Sequence, residues 1–330
     1  MKFSLRVNND SSPADLVKLA VAAEEAGFDQ FWFSNDLFLR SAPFLAGMVA
    51  SNTTRIHFGI GIMNPYSVHP SELAMLAATA TEATQGRFML GLGAGADSFL
   101  SWAGLDRAKP LATTRAAILA IKELVRGGKP ADHDSHWSSE GYLRFPAETP
   151  IYLGSMSPKM TRMIGEIADG GLPLLYPPEH FAEVLELVEQ GAQSAGRSMD
   201  DIDLPACFWV SVGRDEEATR RAMAEKIAYY GGAFAPHLVE KVGVDPVEMA
   251  KVSELLETHG LDTAVSHVTD QMLQLGMVGT PEQVVDRCRG LIQLGARHLS
   301  FGPPLGPDPL AAISVLGSEV LAPLRADGGL

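Results

Sequence analysis

Cysteine is nearly absent from this sequence, since only Cys207 and Cys288 occur in 330 residues. Two cysteines cannot build a disulfide framework, so we expect a protein of the reducing cytoplasm. Positive charge is also scarce, with 26 Lys and Arg against 40 Asp and Glu and a formal net charge of -14. Nucleic-acid binding requires clustered cations, so this balance argues against a nucleic-acid partner and favours a small-molecule substrate.

Long hydrophobic runs are missing as well. No apolar stretch approaches the roughly 20 residues that cross a bilayer, so we expect no membrane partner. The N-terminus, MKFSLRVNND, alternates like a strand and does not resemble a signal peptide. Hydrophobic residues still make up 46% of the chain and charged residues 20%. This composition is sufficient for a large folded core.

The sequence contains a regular alternation of strands and helices. Eight apolar runs predict strands, and they alternate with segments of helical periodicity. The strand runs are FSLRV, DQFWFS, IHFGIGIM, RFMLGLGAG, PIYLGS, GLPLLY, LPACFWVSVG and HLSFG. Strands of this kind are typical of a (β/α)8 TIM barrel. A doubly wound open sheet is the alternative, but the first strand-to-helix turn lacks the glycines that fold usually carries there.

Three segments interrupt the alternation. They are residues 97–111, residues 131–148 and residues 231–275, where the second segment predicts a hairpin and the third contains helical fragments. We expect one barrel domain covering residues 1–330, with these segments as insertions. The longest insertion follows the seventh strand.

The segment LGSMSPKM places small residues between a strand and a helix that starts at Pro158. Backbone N–H groups at a helix start are unpaired and carry the positive end of the helix dipole, so a phosphate can bind there. Lys159 and Arg162 lie in the first turn, where the dipole favours acids instead. An ordinary capped helix with solvated cations is the alternative interpretation.

Polar side chains follow the second strand in FSNDLFLR. Ser34, Asn35 and Asp36 lie where that strand ends, which is the catalytic end of a barrel. Turn or capping chemistry explains the same residues equally well. His69, next to Pro70, is also expected to cap or pack.

Residue types that carry chemistry by themselves are few. His133, Asp134 and His136 could ligate a metal by type, but no third ligand has suitable spacing, so we expect no metal site. We find no nucleophile elbow, phosphate-binding Walker loop or HExxH helix. A cofactor is therefore expected to carry the chemistry, while the protein positions it.

Five segments together resemble the luciferase-like monooxygenase superfamily, in its branch related to methylenetetrahydromethanopterin reductases. They are GIGIMNPYSVHP, GRFMLGLGAG, PIYLGSMSPKMTRMIGEIADG, GTPEQV and ARHLSFGPPLGPDP, which span most of the chain in order. The resemblance implies a (β/α)8 barrel with an insertion after the seventh strand and a homodimer. It also implies the deazaflavin coenzyme F420 as cofactor.

The same resemblance assigns site residues. Gly61 and Ile62 would form a bulge with a cis peptide bond against the middle ring of the cofactor, and Met63 and Asn64 would also bind the cofactor, with Asn64 after the bulge. The remaining cofactor contacts would be Ser34, Ala94, Gly95, the phosphate turn Gly154, Ser155, Met156 and Ser157, and Lys159. Asp36 and Asn35 would be the catalytic pair, placed where hydride transfer occurs.

Two departures from the branch bear on the substrate. Methanopterin reductases commonly carry a Glu in the first strand, where this chain has Arg6, and an Asp-His pair where it has Asn35-Asp36. Arginine stays protonated and cannot replace a carboxylic acid. We therefore expect F420-dependent hydride transfer to an organic acceptor other than methanopterin. An FMN-dependent monooxygenase and a non-catalytic flavin-binding protein remain as alternatives.

Overall fold

The computed structural model describes residues 1–130 and 141–327, which form one parallel sheet surrounded by helices. The strands are β1 (Lys2–Val7), β2 (Gln30–Phe33), β3 (His57–Met63), β4 (Phe88–Leu92), β5 (Ile151–Ser155), β6 (Gly170–Pro173), β7 (Ala206–Val212), β8 (Met277–Gly279) and β9 (His298–Leu305).

The helices alternate with these strands in the first half of the chain and cluster near its end. In chain order they are α1 (Pro13–Glu25), α2 (Ala42–Asn52), α3 (Pro70–Ala83), α4 (Asp97–Trp102), α5 (Pro110–Val125), α6 (Pro158–Ile167), α7 (Phe181–Ser194), α8 (Glu216–Tyr230), α9 (Pro236–Lys241), α10 (Pro246–His259), α11 (Leu261–Ser266), α12 (Asp270–Leu273), α13 (Pro281–Gln293), α14 (Pro309–Val315) and α15 (Ala322–Asp327). A π-helical turn, Leu316–Leu321, joins the last two.

The strand count from the sequence is wrong by one. All eight predicted strands are present, but β8 is an additional strand that pairs in parallel with β7. Its three residues, Met277 to Gly279, are too short to produce a periodic signal in the sequence. The strand order is β6-β5-β4-β3-β2-β1-β9-β7-β8, and every pairing between the named strands is parallel.

The sheet curls until its β6 edge meets the segment that leads into β7. Gly171 N donates to Asp203 O and Asp203 N donates to Asp169 O, each at 3.0 Å. Strands β4, β5 and β7 are buried along their whole length. Burial on both faces is expected for parallel strands covered by helices.

Two of the three segments predicted as insertions lie entirely within the described residues, and the third is described only in part. Residues 97–111 contain α4, and residues 231–275 contain α9 to α12. The predicted hairpin, HWSSEGYLRF, begins within residues 131–140, which lie outside the described part of the chain, as do His133, Asp134 and His136. The described remainder of the hairpin, residues 141–145, contains no strand.

Helix starts follow the capping rules that the sequence suggests. Ser12 Oγ accepts a hydrogen bond from Asp15 N at the start of α1. Thr280 and Gln283 form the reciprocal capping box predicted for the last long helix, α13. His69 caps α3, where its Nδ1 accepts from Ser71 N.

The helical run at the C-terminus contradicts our expectation about long apolar stretches. Pro309–Asp327 is long and apolar enough, by length and composition alone, to cross a membrane, with a mean hydropathy of 1.2. Our expectation that no run approaches this length is therefore wrong. Ile313, Leu316 and Val320 of this run are fully buried in the main core. A core helix passes the same test, so one such helix is weak support for a membrane span.

Inside the curled sheet, Trp32 of β2 lies across the glycines of β3. A Cβ atom at Gly59 would come within 2.4 Å of the indole of Trp32, and one at Gly61 within 3.1 Å. Trp32 packs there with buried side chains of four other strands, namely Met89, Tyr152, Leu172 and Cys207. The glycines that interrupt the third strand are therefore required by the packing of this indole.

A buried polar network closes the amino end of the sheet around Asp203. Its Oδ2 accepts hydrogen bonds from the Tyr152 hydroxyl at 2.7 Å and Gln30 Nε2 at 2.8 Å. Its Oδ1 lies 2.9 Å from His298 Nδ1, and Lys2 Nζ lies 3.3 Å from Oδ2. Burial by itself raises the pKa of Asp203, but these hydrogen bonds and charges outweigh it and hold the pKa well below its ordinary value.

We expect the Asp203→Asn variant to lower the free energy of unfolding by about 3 kcal/mol, because three buried donors lose their carboxylate acceptor. Chemical denaturation measures this change. Exposed Asp201 supplies the control, Asp201→Asn, which should change stability by less than about 0.5 kcal/mol.

The same pair of variants has a defined pH dependence. The lowered pKa of Asp203 means that its contribution is complete above the unfolded-state pKa of about 3.9 and is lost as pH falls towards the folded-state value. The stability difference between the native chain and Asp203→Asn should therefore shrink below about pH 4. A difference that stays constant down to pH 2 would contradict this assignment.

Candidate active site at the carboxyl ends of the strands

The end of β3 forms an irregular ledge at the carboxyl edge of the sheet. The peptide bond between Gly61 and Ile62 is cis, and the pairing of β3 with β4 shifts register between Ile60 and Met63. Gly61 and Ile62 are both partly exposed, unlike the fully buried Ile60 before them. The chain therefore presents a backbone step and one apolar side chain to the space above the sheet.

Ile62 lies directly over two glycines of neighbouring strands. A Cβ atom at Gly93 would come within 2.3 Å of Ile62 Cδ1, and one at Gly154 within 2.5 Å of Ile62 Cγ2. Both positions must therefore remain glycine for Ile62 to keep this position. The result is a smooth apolar platform formed by the ends of β3, β4 and β5.

Met63 and Asn64, which were also predicted to contact the cofactor, are both buried at the end of β3. The Met63 side chain is buried in the main core, so its backbone alone borders the ledge. Asn64 is buried, and its Oδ1 accepts hydrogen bonds from Tyr66 N, Ser67 N and Ser67 Oγ. Through these hydrogen bonds, Asn64 stabilises the turn that follows the ledge.

Ala94 and Gly95 lie on the opposite flank, after β4. Both are partly exposed, and Gly95 has a φ of 73°, a conformation that favours glycine. A Cβ atom at Gly95 would lie 3.3 Å from Asn64, so the exits of β3 and β4 pack directly against each other. The structure therefore brings these two predicted residues beside the platform.

Ser34, Asn35 and Asp36 follow β2 and are partly buried. Ser34 Oγ lies 2.9 Å from Asp36 Oδ2 and 2.8 Å from Asn9 Oδ1, and accepts from Asn9 N at 3.1 Å. Burial raises the pKa of Asp36 and the charge of Asp10 adds to it, while the Ser34 hydrogen bond and Lys226 oppose the rise. Asp36 is thus suited to exchange a proton nearer neutral pH than an ordinary aspartate.

Asn9 holds this loop in place and was not identified from the sequence. It is fully buried, and its Nδ2 donates to Asp36 O at 3.2 Å and to Arg40 O at 2.7 Å. Its Oδ1 also accepts from Asp36 N at 3.3 Å. The polar run VNND at the end of the first strand was the signal available for it.

The start of α6 has the properties of an anion site. Ser157 is the N-cap residue but makes no side-chain cap hydrogen bond, and the first turn contains no acid. Met156, Ser157 and Lys159 are exposed. By contrast, Ser155 is buried, with its Oγ 3.0 Å from Thr161 Oγ1. Backbone N–H groups and Lys159 are therefore available to an anion, while the Ser155 hydroxyl is engaged within the fold.

Arg6 of β1 lies inside the sheet below the ledge. Its Nε donates to Ser300 Oγ at 2.9 Å and its Nη2 to Phe208 O at 2.8 Å. Gly302 makes room for it, since a Cβ atom there would lie 2.5 Å from Arg6 Nη2. Burial lowers the pKa of Arg6 from its ordinary value, and the charge of Cys207 opposes that change. These hydrogen bonds give Arg6 a fixed position.

Lys226 of α8 is a second cation that the sequence did not indicate. Its Nζ lies 3.7 Å from the ring centroid of Tyr230 and 5.2 Å from that of Trp209. It interacts electrostatically with Asp10 and Asp36, which places it on the same side of the sheet as the Ser34–Asp36 loop. Helical periodicity does not distinguish this lysine from the solvated cations of the same helix.

Exposed aromatic side chains form part of the rim. Phe38 and Trp102 are 65% and 68% exposed, and their ring centroids are 6.1 Å apart. Phe99 packs against Trp102 at 5.2 Å. They come from the loop after β2 and from α4, in the segment 97–111. This rim can contact an apolar or flat ligand above the platform.

Within residues 1–130 and 141–327, no group of three or more His, Cys, Asp and Glu side chains is arranged to hold a metal ion. The site chemistry there rests on Asp36, Arg6 and Lys226 beside an apolar platform. Such a site can bind a flat ring, anchor a phosphate and exchange a proton.

Comparison with known proteins shows which family and which solved structure this chain is similar to. The family model described as luciferase-like monooxygenase matches residues 1–298. A 5,10-methylenetetrahydromethanopterin reductase from Archaeoglobus fulgidus is 30% identical over 98% of this chain and 100% of its own length. An F420-dependent glucose-6-phosphate dehydrogenase from Nakamurella multipartita is also 30% identical, over 95% of this chain and 93% of its own length.

A solved structure is similar over nearly the whole molecule. The coenzyme F420-dependent tetrahydromethanopterin reductase from Methanopyrus kandleri superposes with a TM-score of 0.91, at 27% identity, covering 97% of this chain and 98% of that chain. The match to the family model covers most of the sequence, and the relatives align end to end. The chain belongs to the luciferase-like monooxygenase family.

Proposed function

We propose that the protein is an oxidoreductase that uses coenzyme F420 and transfers a hydride between the reduced deazaflavin and an organic acceptor. The observation that carries this proposal is the platform of Ile62 on Gly93 and Gly154, beside the uncapped start of α6. The two relatives described above are an F420-dependent dehydrogenase and a methylenetetrahydromethanopterin reductase, and the similar solved structure is F420-dependent.

The residues present suit this cofactor. Gly154, Met156, Ser157 and Lys159 would hold its phosphate, through backbone N–H groups and one exposed ammonium, and the Ser155 backbone belongs to the same turn. A planar ring would rest on Ile62 and the Gly61 backbone, bordered by Ser34, Met63, Asn64, Ala94 and Gly95. When bound, the deazaflavin supplies or accepts the hydride.

Asp36 and Asn35 act on the acceptor in this proposal. The Ser34–Asn9 hydrogen bonds fix the loop so that the Asp36 carboxyl orients the acceptor or assists proton transfer. The aromatic rim of Phe38, Phe99 and Trp102 excludes water from one side of the acceptor. Arg6 stands where the methanopterin reductases commonly have an acid, so the acceptor is proposed to differ from methylenetetrahydromethanopterin.

The proposal also covers assembly and architecture. We propose one closed (β/α)8 barrel domain over residues 1–330, with insertions at residues 97–111, 131–148 and 231–275, and a homodimer in the cytoplasm. The exposed Phe44 and Met75 on helices α2 and α3 support an interface, and the free, buried Cys207 and Cys288 are compatible with a reducing compartment.

An absorbance titration of the purified chain separates F420 from FMN. We expect F420 to bind at least tenfold more tightly, a difference of about 1.4 kcal/mol, because the start of α6 offers Lys159 and free N–H groups to a long anionic tail. Tighter FMN binding with turnover that consumes oxygen would instead establish a flavin monooxygenase. Tight F420 binding without hydride transfer to any acceptor would establish a non-catalytic binding protein.

The platform is tested by Gly154→Ala. The new methyl group would overlap Ile62 Cγ2, so Ile62 must move and the affinity for F420 should fall about tenfold. Gly290→Ala is the matched control, because no atom lies within 4 Å of a Cβ at that position. Equal F420 affinities of the two variants would show that Ile62 does not support the ring.

The role of Asp36 is tested by Asp36→Ala with reduced F420 as hydride donor. We expect kcat to fall at least about 10²-fold, the usual contribution of a positioned acid or base, while F420 affinity changes less than about twofold. Exposed Asp201→Ala is the control. Unchanged turnover in Asp36→Ala would remove this residue from the mechanism.

A further inference from the structure

Lys226 is an unusual lysine because its ammonium is held by aromatic rings. Its Nζ lies over the rings of Tyr230 and Trp209, and among residues 1–130 and 141–327 it forms no hydrogen bond or ion pair. Other partly buried lysines do have carboxylate partners, such as Lys122, which bonds Asp169 Oδ1 at 2.6 Å. Desolvating an ammonium without a carboxylate partner is costly, and the two cation–π contacts offset only part of that cost.

The charges that face Lys226 come from separate parts of the chain. They are Arg6 in β1, Asp10 in the following loop and Asp36 after β2, with the Tyr230 hydroxyl on its own helix. Burial, assisted by the charge of Arg6 and opposed by the charges of Asp10 and Asp36, lowers the pKa of Lys226 to about 8. Burial also raises the pKa of Tyr230.

The helices packed on α8 do not alter this balance. Two acids of these helices, Asp262 and Asp270, pair with Arg221 and Arg220 of α8. The ammonium of Lys226 therefore faces the carboxyl edge of the sheet with Asp36, and not the solvated ion pairs of α11 and α12.

We propose that Lys226 donates the proton that the acceptor takes up during reduction, with Asp36 positioning the ammonium beside the acceptor. This inference rests on the proposed hydride-transfer function and adds the proton source to it. Arg6 occupies the other cationic position, but a guanidinium does not release its proton in this pH range. Lys226 is the cation of this cluster that can release a proton in this pH range.

The chemistry balances for an acceptor with a C=O or C=N bond. The acceptor carbon receives the hydride from reduced F420 and forms a C–H bond, while the π electron pair moves to the heteroatom. The heteroatom takes a proton from the Lys226 ammonium, and the neutral amine regains a proton from water. The acceptor is reduced by two electrons and the deazaflavin is oxidised by two.

The first experiment measures the proton on Lys226 without using activity. In the cofactor-free full chain labelled with [ε-¹³C]lysine, one resonance should titrate with a midpoint near pH 8 and disappear in Lys226→Arg. Asp36→Asn should lower this midpoint, because it removes a carboxylate that favours the ammonium. A Lys226 midpoint above pH 10, in the range of an unperturbed lysine, would overturn the proposal.

The second experiment follows oxidation of reduced F420 with three probes: 5,10-methylenetetrahydromethanopterin, menadione and a panel of small ketones and imines. With the best acceptor, Lys226→Met and Lys226→Arg should each lose about 10²–10⁴-fold in kcat/KM. The native profile should fall above about pH 8, as Lys226 loses its proton, and Lys226→Met should lack this fall. Lys251→Met is the control and should stay within about twofold.

The outcomes separate the two proposals. If Lys226→Arg keeps native activity, positive charge alone is required, and the proton-donor role is wrong while hydride transfer stands. The same conclusion follows if Lys226→Met stays within twofold of native. If the native chain oxidises reduced F420 with none of these acceptors, the proposed function fails and the inference fails with it.

Discussion

The contact of Ile62 with the glycines beneath it is the constraint on which the rest of the site depends. Its side chain occupies the space that a Cβ atom would need at Gly93 and Gly154. One level lower, Trp32 occupies the same kind of space at Gly59 and Gly61. Two large side chains thus stack inside the sheet, and adjacent strand ends must lack side chains to admit them. The platform follows from close packing, since such interiors leave few gaps larger than a water molecule.

Stability and chemistry are placed at opposite ends of the sheet. The amino end is closed by Asp203, whose carboxylate makes hydrogen bonds to Tyr152, Gln30 and His298. At the carboxyl end, Asp36 and Lys226 are not paired with each other, and burial shifts the pKa of each towards neutral pH. Hydrogen bonds to one shared carboxylate fix the fold at the amino end. At the carboxyl end, Asp36 and Lys226 keep exchangeable protons, which a reaction there requires.

The sequence predicted the parts of the fold that have a strong local signal. Eight strands, the capping box at Thr280 and the helix start at Pro158 could be predicted because periodicity and capping involve residues close in the chain. Strand β8 was missed because three residues carry no period. The reason for Gly59 and Gly61 was also missed, because it depends on where Trp32 packs across the sheet, which no local pattern encodes.

The candidate site likewise contains some residues that local sequence patterns predicted and others that they did not. Ser34 to Asp36 and the turn before α6 could be predicted, since they follow strands in sequence and share the carboxyl edge. Asn9 was missed because its hydrogen bonds reach the loop after β2, and Lys226 was missed because its helix meets that loop from more than 170 residues later in the chain. The replacement of an acid by Arg6 raised a question about the proton source, and the structure places a different titratable group beside it. Arg6 supplies a permanent charge that, with burial, lowers the pKa of Lys226. A residue that cannot donate a proton thereby makes its neighbour a better donor.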